Sequence, residues 1–193
     1  MVAKRSFYVC AGVFLLALAV PANAVEAPPV YLRSWGGSGS GPGQFQTPFD
    51  VAIDPAGFVY VSDEGNNRIQ KFTRLGGLVA EWGTLGDGPG QLNNPTGIAI
   101  SPNGEVVVAD HQNHRICRFT QEGAFLAAFG ASGSLPGQLS HPVGIAVDQA
   151  GNIYVTEASN NRCQKFTSTG TSLAVWGEGQ MSWPYGIACF GAS

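Results

Sequence analysis

Three histidines, His111, His114 and His141, are the side chains of this 193-residue chain best placed to trade a proton near neutral pH or to ligate a metal. His111 and His114 stand three residues apart, but in a turn-rich stretch rather than on a helix, so their spacing alone does not make their rings converge. His141 directly precedes Pro142, at a position that Thr47 and Asn94 occupy in register earlier in the chain. One histidine in such a row is too few for a metal centre.

The other candidates come in threes. Asp63 with Arg68, Asp110 with Arg115, and Glu157 with Arg162 are carboxylate and guanidinium pairs five residues apart, each straddling a tight turn. Such a pair can bind an anion or support acid-base chemistry, but an active site rarely repeats three times. The expected role is therefore structural, with Asn66, Asn113 and Asn160 serving the turn between the partners. Nucleophile elbows, P-loops and H-E-x-x-H runs are absent. The glycine-dense stretch from Gly36 to Gly43 has no helix after it to hold a phosphate. Cys117, Cys163 and Cys189 lie beyond the N-terminal apolar run, and at most two of them can pair; no C-x-x-C marks a thiolate site. We therefore expect no catalytic residues, no resident metal and no cofactor.

The elements that position these residues follow from self-similarity at a period of 47 residues. Trp35, Trp82 and Phe129 keep that step, as do Pro48, Pro95 and Pro142, and the runs Asn66-Asn67-Arg68, Asn113-His114-Arg115 and Asn160-Asn161-Arg162. Within a period, short runs rich in Val, Ile, Phe and Tyr alternate with turn formers such as Pro55-Ala56-Gly57 and Pro102-Asn103-Gly104. Each period reads as a four-stranded antiparallel meander, and almost no helix is expected. Val51, Ile53, Val59, Val61 and Ile69 are too many apolar residues for a sheet with one wet face, so the meanders must stack face to face. A period in the forties with four strands per unit points to an all-β propeller. The channel mouth would then be lined by Thr47, Asn94 and His141.

The run from Phe58 to Phe72, with Val59-Tyr60-Val61-Ser62-Asp63 followed by Asn67-Arg68-Ile69-Gln70-Lys71-Phe72, resembles the NHL repeat, as does Pro95-Thr96-Gly97-Ile98-Ala99. The third copy departs mildly, with Glu157 for Asp and Cys163 for Ile. The resemblance implies blades at 48–82, 95–129 and 142–176, with orphan strands at 30–35 and 184–190, giving a partial ring where the family commonly builds six blades. With about five apolar side chains bare on each open face, the cost is on the order of 8 to 15 kcal/mol per face. A longer propeller or a homodimer that closes the ring would each remove that cost. Some NHL-like propellers, the peptidyl-hydroxyglycine amidating lyases, hold zinc at the mouth with histidines from several blades. A metal-assisted lyase or hydrolase of that type, with this chain supplying part of the site, is accordingly the alternative to a binding scaffold.

Residues 1–24 carry Lys4 and Arg5, an apolar run from Phe7 to Ala19 and the small-residue pattern Ala22-Asn23-Ala24, so an export signal cleaved after Ala24 is expected, followed by a linker at 25–29. The apolar run is too short for a membrane span. Without Lys4 and Arg5 the 10 basic residues become 8 against 13 acidic ones. No basic cluster exists to neutralise a nucleic-acid backbone. The expectation is a secreted or periplasmic scaffold that recognises a protein, peptide or glycan through its mouth loops.

Overall fold

The computed structural model describes residues 33–189, together with a two-stranded hairpin in which β1 (Val9–Cys10) pairs antiparallel with β2 (Val13–Phe14). The remainder of the expected export signal and the linker at 25–29 lie outside the described residues.

Twelve strands then form three antiparallel meanders. The first sheet comprises β3 (Pro48–Ile53), β4 (Val59–Asp63), β5 (Arg68–Phe72) and β6 (Leu78–Trp82). The second comprises β7 (Pro95–Ile100), β8 (Val106–Asp110), β9 (Arg115–Phe119) and β10 (Phe125–Phe129). The third comprises β11 (Pro142–Val147), β12 (Ile153–Glu157), β13 (Arg162–Phe166) and β14 (Ser172–Trp176). Among the described residues the only helical pieces are single 3-10 turns at Glu64–Asn66 and His111–Asn113. The chain is an all-β propeller segment of three four-stranded blades.

Local chemistry explains the meander. The β3–β4 turn closes because the Asp54 carboxylate accepts the Phe58 N–H at 2.9 Å while Gly57 takes φ +89°, a value that L side chains resist. Val59 and Val61 point to one face of β4, and Tyr60 and Ser62 to the other; all four are buried because both faces are covered.

Blades stack through these faces. Tyr60 and Ile69 of the first blade pack with Ile98, Val106, Val108 and Phe119 of the second. Val107, Ala109 and Ile116 of the second pack with Ile145, Ile153, Val155 and Phe166 of the third. The inner strands β3, β7 and β11 run side by side along the axis. Gly97 makes that approach possible, since a Cβ there would stand 2.4 Å from the Val143 carbonyl oxygen. Further out, Trp82 lies over Gly123 of the next blade, and Phe129 over Gly170.

The open front face of the first blade differs from the expectation of bare apolar side chains. Val59, Val61 and Phe72 are buried beneath Phe45 and Trp35, because the glycine-rich segment before β3 folds back across them. On the far side of the third blade Cys163 is also buried, with Met181 Sδ 3.8 Å from its sulfur, whereas Trp176 stays exposed and is in edge contact with Tyr154. The described parts of the two expected orphan strands, 33–35 and 184–189, carry no sheet ladder. Each lacks a neighbouring strand of its own sheet among the described residues, and they are held instead by contacts such as Arg33 to the Leu75 carbonyl at 3.1 Å and Thr156 Oγ1 to the Tyr185 carbonyl at 3.2 Å.

Candidate functional site at the channel mouth

The repeated ion pairs are buried and fully committed. The Asp63 carboxylate accepts Arg68 Nε at 2.8 Å, Asn66 Nδ2 at 2.8 Å, Gln70 Nε2 at 3.1 Å and the Gln46 backbone N–H at 2.7 Å. Arg68 then donates to the carbonyls of Gly41 and Gln44, both at 2.8 Å. Asp110 does the same with Arg115 and Asn113, and Glu157 with Arg162 and Asn160. Arg115 and Arg162 reach the carbonyls of the glycine-rich loops that precede their own blades. With both oxygens of each carboxylate hydrogen-bonded, these groups tie the β4–β5, β8–β9 and β12–β13 turns to those loops and serve the frame rather than a ligand.

Cys117 stands where the other blades have Gln70 and Gln164. Burial, and the Asp110 carboxylate 3.7 Å away, push its thiol up to about 12, so it is an inert hydrophobe. Cys163 and Cys189 are free thiols as well.

The mouth is organised differently. Thr47, Asn94 and His141, each just before an inner strand, take left-handed φ values of 49°, 51° and 49°. Trp183 takes φ 48° in the same local setting, ahead of Pro184, and is a fourth member of this row that the 47-residue register does not reach. Two residues further on, past the intervening proline, Phe49, Thr96, Val143 and Tyr185 form a second row, and Glu64, His111 and Ala158 a third. Members of all three rows line one pocket of about 340 Å³, together with Ser159. Asn94 lies beside it, its Nδ2 3.5 Å from Glu64 Oε1, whereas Thr47 does not line it.

All three histidines meet at this mouth, a convergence that their spacing alone did not require. The His141 ring centroid is 4.5 Å from that of His114 and 5.0 Å from that of His111. The convergence is tertiary: the turn of the second blade presents His111 and His114 to the start of the third. His111 Nδ1 donates to the Pro142 carbonyl at 3.0 Å, and His141 Nδ1 lies 2.9 Å from Ser159 Oγ. Burial, with the neighbouring imidazoles, holds His111 and His114 below the ordinary histidine range, so both are neutral at pH 7. Burial raises Glu64 above the usual carboxylate range. No group of three His, Cys, Asp or Glu side chains among the described residues is disposed to hold a metal ion.

This geometry defines a class: stacked blades carrying a varied pocket on a nearly repeating frame. The chain carries three NHL repeats, matching at residues 45–72, 92–119 and 139–166. Over 49 residues it is 45% identical to the human E3 ubiquitin-protein ligase TRIM32, a stretch covering 25% of this chain and 8% of the ligase. A catalytically inactive histidine-to-alanine variant of virginiamycin B lyase from Staphylococcus aureus, solved with quinupristin, is similar at a TM-score of 0.54 and 25% identity, covering 70% of this chain and 41% of the lyase. Hydrazine synthase of Kuenenia stuttgartiensis shares the fold at a TM-score of 0.58 and 15% identity, with 78% and 42% covered. The chain thus spans less than half the length of each of these proteins.

Proposed function

We propose that this chain is an exported NHL-repeat scaffold that binds a peptide segment of a partner protein in the channel-mouth pocket. The observation that carries this reading is where the copies agree and where they differ. The frame positions repeat almost unchanged, as Asp63, Asp110 and Glu157 or Arg68, Arg115 and Arg162. The pocket-lining positions diverge completely, as Phe49, Thr96, Val143 and Tyr185, or Glu64, His111 and Ala158. A scaffold holds its frame fixed and spends its variation where a ligand is read. Trp183 and Tyr185 are 60% and 56% exposed at the pocket, a rigid aromatic surface beside hydrogen-bonding imidazoles and a carboxylate. Arrays of peptides and of glycans probed with the purified protein and with W183A and H141A variants test it. Peptide spots that both variants lose are expected; binding indifferent to both substitutions contradicts the assignment.

A second reading has a specific observation behind it. The similarity to virginiamycin B lyase, joined to a half-buried neutral His111 whose Nδ1–H is held by Pro142, favours a lyase in which Nε2 of this imidazole takes a substrate proton. Chromatography of quinupristin incubated with the protein separates the two readings: a His111-dependent product supports the lyase, and unchanged substrate removes it. Export is tested by mass spectrometry of the mature N-terminus, expected at Val25.

A further inference from the structure

Consecutive blades are joined at the mouth by one recurring hydrogen bond. The last residue of the turn after β4 is Asn67, held at φ 55°, and its Oδ1 accepts the Asn94 N–H at 2.9 Å. After β12 the same position is Asn161, φ 50°, whose Oδ1 accepts the Trp183 N–H at 2.8 Å. After β8 the position is His114, φ 55°, and here Nδ1 accepts the His141 N–H at 3.1 Å.

An amide oxygen accepts at any ordinary pH. An imidazole nitrogen accepts only while it carries no proton, and once protonated both ring nitrogens are donors. We propose that His114 is a pH-sensitive latch between the second and third blades, closed at neutral pH and released by acid, while the two asparagine latches stay shut. Release turns an N–H···N bond into two N–H groups facing each other at a partly buried site. It frees the residue that forms one wall of the pocket.

The groups around His114 reinforce this direction. His111 of its own turn and His141 from the start of β11 are titratable and close, so a proton on either repels a second on His114. Glu64, from the first blade, lines the same pocket but is occupied by Asn94 at 3.5 Å. Asp110 and Arg115, which flank the turn, bond to each other and to the Asn93 N–H and the Gln91 carbonyl. In the open state His114 regains the ordinary histidine affinity for protons, so opening becomes progressively less costly as pH falls below about 6.5.

The consequence for ligand retention rests on the binding function proposed above; the latch does not, because it is read on an amide. Hydrogen exchange of the His141 amide, corrected for intrinsic rates, is measured in the unliganded protein at about pH 7.5 and about pH 5. Protection is expected to fall about five- to tenfold in acid, the order of one backbone hydrogen bond, and to hold in H114N, which installs the acceptor used by the other blades. Equal protection at both pH values in the wild type, or an equal acid loss in H114N, overturns the proposal. Should H114N not fold, the His141 amide shift of the wild type must track the His114 ring titration, and independent curves overturn it as well. A working latch with no ligand found refutes the binding function alone.

Discussion

Glu157→Gln is the sharpest perturbation of the frame. Glu157 Oε1 accepts Arg162 Nε and Gln164 Nε2, both at 2.7 Å, and Oε2 accepts the Ser140 N–H at 2.9 Å and Asn160 Nδ2 at 2.6 Å. All four partners are donors, so an amide NH₂ turned either way meets two of them head on. The substitution therefore removes two charge-assisted bonds and the buried counter-charge of Arg162, whose side chain is 2% exposed and whose other ion pair, Glu178, is 64% exposed. Leaving a buried charge uncompensated costs about 3–5 kcal/mol, a large share of the 5–15 kcal/mol of a typical domain. At roughly 2–4 °C per kcal/mol for a chain of this size, the thermal midpoint should drop by about 6–20 °C. Thermal and urea unfolding followed by tryptophan fluorescence reads it, with E157D as control. Aspartate fills this role in the other two blades, and E157D should lie within about 1 kcal/mol of wild type. A loss under about 1 kcal/mol in E157Q, or an E157D as damaged as E157Q, would refute the argument that a four-donor carboxylate knits each blade to its loop.

C117Q should raise stability by about 1 kcal/mol in urea titrations, because Gln70 and Gln164 at this position join the loop glycine N–H, the Gln44 or Gln138 carbonyl and the blade carboxylate; a destabilised variant would mean the second blade has packed around the smaller side chain. G97A, whose Cβ would stand 2.4 Å from the Val143 oxygen and 2.8 Å from the Ile145 nitrogen, should cost about 2–3 kcal/mol and raise exchange in β7 and β11 before β3. Because folding lowers the proton affinity of His111 and His114, the unfolded chain binds protons first as pH drops. Stability contributed by these histidines should be complete above about pH 6.5 and decline below it, visible as an urea midpoint that falls between about pH 7 and pH 5 and does so less in an H111Q/H114N double variant.

The blades were legible in the sequence because their determinants are local. Alternation in Val59-Tyr60-Val61-Ser62, turn formers such as Pro55-Ala56-Gly57 and a fixed register carry strand positions and pairing without reference to distant contacts. The mouth row was legible as far as that register held, through Thr47, Asn94 and His141. Trp183 escaped it because the last inter-blade loop is shorter: Trp183 follows His141 by 42 residues instead of 47. The signal was nonetheless present in Trp183-Pro184, which repeats His141-Pro142. The histidine cluster was not legible, since it forms where one blade's turn meets the next blade's first strand, an adjacency that sequence spacing does not encode. The same holds for Phe45 and Trp35, whose fold-back over Val59 and Val61 depends on the path of a glycine-rich segment.

A crystal structure of the protein with its best-binding peptide tests the central claim most directly. The account predicts peptide density in the 340 Å³ pocket, stacked on Trp183 or Tyr185 and bonded to His111, His141 or Glu64. Density along the outer strands Leu78–Trp82, Phe125–Phe129 or Ser172–Trp176, with that pocket vacant, would contradict it.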